Sequence, residues 1–72
     1  MKITLRGGRV ITLDHQELVL VALRNDEYAV PGTVFTEKGI IIGWWEVEQA
    51  EEMARSIAKA LSSGQAEFIF PQ

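Results

Sequence analysis

Two arginines and two tryptophans are the residues best suited to chemistry in this chain. Arg6-Gly7-Gly8-Arg9 sets two guanidinium groups around a glycine pair. In a tight hairpin with a two-residue loop Arg6 faces Arg9, and like charges so placed repel. A repulsion kept in this way can mark an anion site, to which backbone N–H groups around glycine contribute. The competing reading is ordinary surface chemistry. Both side chains then splay into water or pair with Glu17 or Glu67, where ion pairs contribute little. Trp44-Trp45 is the second feature. Adjacent strand residues point to opposite faces, so one indole can join the core while the other stands outside. An exposed Trp beside Tyr28 or Phe35 would serve as an interface anchor or a base-stacking platform. In the competing reading both indoles lie under helix and loops, with each N–H bonded locally. Arg6, Arg9, Trp44 and Trp45 are thus the expected ligand- or partner-binding residues.

No residue is expected to be catalytic, metal-binding or cofactor-binding. The chain holds one histidine and no cysteine. Zinc takes about four N, S or O ligands, so His15 alone makes no structural site. His15 also has no Ser or Cys at an informative spacing, and a triad is recognised by geometry rather than by single residues. Asp14, Asp26 and Glu27 fall in turns and read as solvated surface. A formal net charge of −3 argues against general nucleic-acid binding. The longest apolar run, Leu18 to Leu23, is far short of the roughly 20 residues of a membrane span. Lys2-Ile3-Thr4-Leu5 lacks the apolar stretch of a signal peptide. The absence of cysteine fits a cytoplasmic protein.

The elements that must position these residues are short. Residues 1–72 make a single domain, and a domain this small buries only about 60% of the surface its unfolded chain exposes. Small domains often gain stability from disulfides, metals or a partner subunit, and here only the partner is open. Lys2 to Leu5 and Arg9 to Leu13 read as a hairpin around Gly7-Gly8. The two-residue loop places Ile3, Leu5, Val10 and Thr12 on one face and Lys2, Thr4, Ile11 and Leu13 on the other. Glu17 to Arg24 is apolar on both faces, as in a central strand covered on two sides. Tyr28-Ala29-Val30 and Thr33-Val34-Phe35 continue the extended chain. Pro31-Gly32 between them reads as a type II turn or as a kink in an edge strand. Thr36 to Gly39 forms a turn, and Ile40 to Trp45 is a second strand apolar on both faces.

Val47 to Ser63 is the one strong helix. At 100° per residue Val47, Ala50, Met53, Ala54, Ile57, Ala58, Ala60 and Leu61 form one apolar stripe. Extending the wheel backwards puts both tryptophans on the polar side, so they belong to the preceding strand. Acids crowd the first half, while Arg55 and Lys59 occupy the second, which suits the helix dipole. Glu51 and Arg55 stand at i,i+4. No Ser, Thr, Asp or Asn is placed to cap the start, and Gly64 is a natural stop. Gln65 to Phe70 alternates and reads as a last strand.

The expected fold is α+β: a strongly twisted, mainly antiparallel sheet of five or six strands, in the order β-β-β-β-β-α-β. One amphipathic helix packs on one face. The last strand is expected parallel to the fifth, through a right-handed crossover if both share a sheet. One helix covers one face only, so the second face needs a curled sheet or a second subunit. The expected function is a small non-enzymatic protein-interaction or regulatory module, a homodimer, acting by binding a partner surface. The alternative is binding of nucleic acid or a phosphorylated ligand through the Arg6–Arg9 hairpin and an exposed Trp. Residues 2–12, KITLRGGRVIT, also resemble the opening strand pair of amidohydrolases. The paired metal-binding histidines of that family have no counterpart in this sequence, so no residue role is carried over.

Overall fold

The computed structural model describes residues 1–25 and 29–70, the Arg6 side chain excepted. The elements follow the expected order: β1 (Lys2–Thr4), β2 (Val10–Thr12), β3 (Val19–Val21), β4 (Thr33–Thr36), β5 (Ile41–Trp44), α1 (Val47–Ser62) and β6 (Glu67–Ile69). The class is α+β, and three of the four strand pairs among the described residues are antiparallel. The strands divide, however, into two sheets of three, β2-β1-β6 and β3-β4-β5, instead of forming one sheet of five or six. The cause is the destination of β6. It lies parallel to β1, with Ile3 opposite Phe68, and not parallel to β5. The helix therefore carries the chain from one sheet to the other.

The first hairpin also departs from expectation, by one residue. Lys2 faces Thr12, Ile3 faces Ile11 and Thr4 faces Val10. Leu5 donates to Arg9 O at 2.7 Å, so Arg9 sits opposite Leu5 and not opposite Arg6. The connection is three residues long, Arg6 to Gly8, and turns on Gly7 at φ 84°. A side chain strongly disfavours that backbone conformation, and glycine does not. The one-residue shift moves every side chain of β2 to the other face. Ile11 and Leu13 now join Ile3 and Leu5 on the core side, while Val10 and Thr12 are exposed. The physical gain is a uniform apolar face, which the two-residue loop would have split.

In the second sheet the doubly apolar strands are the edges, and β4 is the centre. Thr33, Val34 and Thr36 of β4 are almost fully buried. Both hydroxyls are satisfied: Thr33 Oγ1 donates to Val30 O at 2.7 Å, and Thr36 Oγ1 accepts from the Ile40 N–H at 3.2 Å. That bonding is what lets polar residues hold a central strand. Ala29 and Val30 join no strand, and Tyr28 lies outside the described residues. Pro31-Gly32 is a turn and not a kink: Thr33 N–H reaches Val30 O at 3.1 Å, with Gly32 at φ 88°. That φ at the third position, after Pro, is the type II pattern. A bulge on β5 leaves Ile42 between the partners of Val34 and Phe35 and turns it into the core.

Helix α1 starts at Val47, where the wheel predicts, and ends at Ser62, one residue before the expected Ser63, which is its C-cap. Its N-cap residue, Glu46, makes no side-chain cap bond. At the other end Gly64 N–H reaches Leu61 O and Gln65 N–H reaches Ala60 O, the paired bonds of a Schellman motif. The buried stripe is narrower than expected. Ala50, Ala54, Ile57, Ala60 and Leu61 are buried, Val47 and Met53 are half-buried, and Ala58 is exposed. Glu51 and Arg55 form no ion pair, the one ion pair among the described residues being Lys38 with Asp14 at 3.4 Å. The helix packs on the inner side of β3 and β4. Ile3, Leu5 and Leu13 of the first sheet belong to the same core cluster as Ile57 and Val34. The first sheet and the helix thus share one core with the inner face of β3-β4-β5. On the outer face of β3-β4-β5 Leu20, Ile41 and Trp44 are exposed, Phe35 is half-buried and Thr33 is buried.

Candidate functional site

That open face is built by pairing in register. Leu20, Phe35 and Ile41 stand in one row across the three strands. Trp44 lies opposite Thr33 on the same side, and Leu18 extends the β3 edge where its carbonyl accepts from Glu37 N–H at 3.0 Å. Leu18 is 56% exposed, Leu20 41%, Ile41 40% and Trp44 62%. Together these residues expose roughly 400 Å², within the range of the largest apolar patch on a typical monomer. Edge position is the reason. A doubly apolar strand in the middle of a covered sheet hides both faces, whereas β3 and β5 present their second face to solvent.

A cavity of about 260 Å³ lies where the first hairpin meets β5. Its walls include Leu5, Arg9, Gly43, Trp44, Trp45 and Phe70. Three of the four expected site residues, Arg9, Trp44 and Trp45, are therefore brought together, while the Arg6 side chain lies outside the described residues. The two indoles divide as expected, Trp44 exposed and Trp45 half-buried against the core. Trp45 stands edge-on to Phe70, ring centroids 5.6 Å apart at 72°. Phe70 in turn stands edge-on to Phe68 at 5.4 Å. Such edge contacts suit aromatic quadrupoles. Gly43 makes room for this stack, because a Cβ there would sit 2.7 Å from Cη2 of Trp45. Trp45 Nε1 is buried with no hydrogen-bond partner among the described residues, against the expectation that each buried indole bonds locally. Arg9 is exposed and forms no ion pair with Glu17, Glu67 or any other described carboxylate.

Gly43, Leu5 and Phe70 were not anticipated as site residues. Gly43 carried a usable signal, since an isolated glycine inside an apolar strand marks a close approach. Leu5 and Phe70 carried none, because they reach the cavity only through the pairing of β1 with β6.

The turn containing His15 is different in character. Asp14, His15, Glu17, Glu37 and Lys38 line an open polar cleft. His15 Nε2 lies 3.3 Å from Gln65 O, and Lys38 and Asp14 pair at the exposed surface. Glu17 Oε1 is buried without a hydrogen-bond partner among the described residues. Among the described residues no group of three His, Cys, Asp or Glu side chains could hold a metal ion. No described helix is long and apolar enough to cross a membrane. No family model, no curated protein and no solved structure matches this chain.

Proposed function

We propose that this chain is a small non-enzymatic interaction module that self-associates through the outer face of β3-β4-β5. The observation that carries the reading is the open row of Leu20, Phe35 and Ile41, flanked by Leu18 and Trp44. A two-fold arrangement lets one patch cover its own copy, as isologous interfaces do. Two sheets packed this way lie about 10 Å apart with side chains interdigitated. The apolar patch together with a polar rim approaches the roughly 800 Å² per partner of a standard interface. Trp44 stands at the end of the row, and buried Trp residues often carry a large share of binding energy. Association would also supply the reinforcement that a thin core without disulfides lacks. A regulatory role then follows by occupancy of a surface, in the cytoplasm, where a cysteine-free chain is at home.

The experiment is sedimentation of the wild type beside Leu20→Lys. A charge in the centre of a desolvated interface is costly unless paired, so the variant should dissociate while keeping its fold. A wild type that stays monomeric as concentration rises would sink the proposal.

A second reading, nucleic acid or a phosphorylated ligand at the hairpin, draws on Arg9 and Trp44 lining one cavity. The net charge of −3 works against a polyanion. Binding of this kind weakens steeply with salt and with loss of both Arg6 and Arg9. No binding at low salt removes it.

A further inference from the structure

We propose that the cavity bordered by Arg9, Trp44, Trp45 and Phe70 binds a small aromatic carboxylate. The cavity shares Trp44 with the self-association face, but Arg9 belongs to the cavity alone. The walls supply the two halves of such a ligand's chemistry. Trp45, Phe70 and Leu5 line it with aromatic and aliphatic side chains, which suit a flat apolar body. Arg9 supplies one cation at the rim, unpaired among the described residues. A guanidinium binds a carboxylate through two parallel N–H···O bonds, which fixes orientation as well as adding affinity. At about 260 Å³ the space lies just below the roughly 300–1,000 Å³ of drug-sized pockets, so the ligand is a small one. Trp45 Nε1–H is buried, so Arg9 is the group that meets the anion.

The test uses the chain's own chromophores. Its two tryptophans, Trp44 and Trp45, both stand in the cavity wall, so intrinsic fluorescence reports on this site directly. Phenylacetate is the probe. Phenylacetamide keeps the ring and removes the charge, and acetate keeps the charge and removes the ring. The expected result is a saturable fluorescence change with phenylacetate. Affinity should fall about tenfold or more with phenylacetamide, with acetate and in Arg9→Ala, a loss of about 1.4 kcal/mol or greater. Arg55→Ala, on the exposed side of α1, should bind as the wild type does. Arg9 is exposed, so the variant should fold, and its amide spectrum checks that. Three results overturn the proposal: no saturable change up to about 10 mM, a limit set by the weakest affinities worth calling specific; equal affinity for the charged and neutral probes; or undiminished binding in a folded Arg9→Ala.

Discussion

Gly32 and Gly39 have nearly the same backbone, φ 88° and 89°, but different surroundings. A Cβ on Gly39 would meet nothing within 4 Å. A Cβ on Gly32 would sit 1.8 Å from the Trp45 carbonyl oxygen and 3.1 Å from its carbon. The same crossing carries a ladder bond, Trp45 N–H to Gly32 O at 3.1 Å. Alanine at either position incurs the left-handed backbone penalty, about 1–2 kcal/mol. At Gly39 that is the whole effect. At Gly32 the strands must also separate, losing about 1 kcal/mol for the hydrogen bond and about 1 kcal/mol or more in displaced packing. Gly32→Ala should therefore cost about 3–4 kcal/mol and Gly39→Ala about 1–2 kcal/mol. A chain of this length has about 4–11 kcal/mol in total, so the first change removes a large share of it. Urea unfolding followed by tryptophan fluorescence reads the difference. With a slope of about 1 kcal/mol/M, the midpoint should fall by roughly 3–4 M for Gly32→Ala and by roughly 1–2 M for Gly39→Ala. Equal shifts for the two, or the larger shift at Gly39, would refute the close approach of the Pro31-Gly32 turn to Trp45.

Other expectations follow from register and burial. In the observed hairpin Thr4–Val10 and Lys2–Thr12 are the non-hydrogen-bonded pairs, whose Cα atoms come within about 4.5 Å, so strong Hα–Hα NOEs should join them. Leu5–Val10 and Ile3–Thr12 Hα–Hα NOEs in their place would restore the two-residue loop. Ile57→Ala removes a fully buried side chain at the centre of the core and should cost about 2–5 kcal/mol in urea unfolding. A loss below about 1 kcal/mol would place Ile57 outside a packed core. Lys38→Ala breaks an ion pair whose ends are both exposed, so the midpoint should not move measurably. A clear drop would show that the Asp14 turn depends on that pair.

Local patterns were legible in the sequence, and long-range partners were not. The helix bounds could be read because sixteen residues repeat one apolar angle, and the tryptophans break it at once. The strand order was legible for the same reason, at period two. Register was nearly legible: Ile3, Leu5, Ile11 and Leu13 share a face only with a three-residue loop, and requiring a uniform core face would have selected it. The double apolarity of Leu18–Leu23 and Ile40–Trp45 suggested central strands, because burial is the usual reason for such a pattern. Here part of it is exposure, and no periodicity distinguishes a buried second face from an open one. The pairing of β6 with β1 depends on Phe68 and Phe70 finding Ile3 and Trp45 across the chain, which no local window contains. The candidate cavity inherits that limit. Arg9 and the tryptophans stood out by residue type, yet their meeting follows from two sheets sharing one core.

The most direct measurement is sedimentation equilibrium of the intact protein over a concentration series, beside Leu20→Lys and Ile41→Lys. With a Kd of about 100 μM, that of a modest interface, wild type should reach about one and a half times the chain mass near 100 μM and approach twice it near about 1 mM. Both variants should stay at the monomer mass with unchanged helix content. A wild type that remains monomeric throughout, or lysine variants that associate as well as it does, would contradict self-association through the outer face of β3-β4-β5.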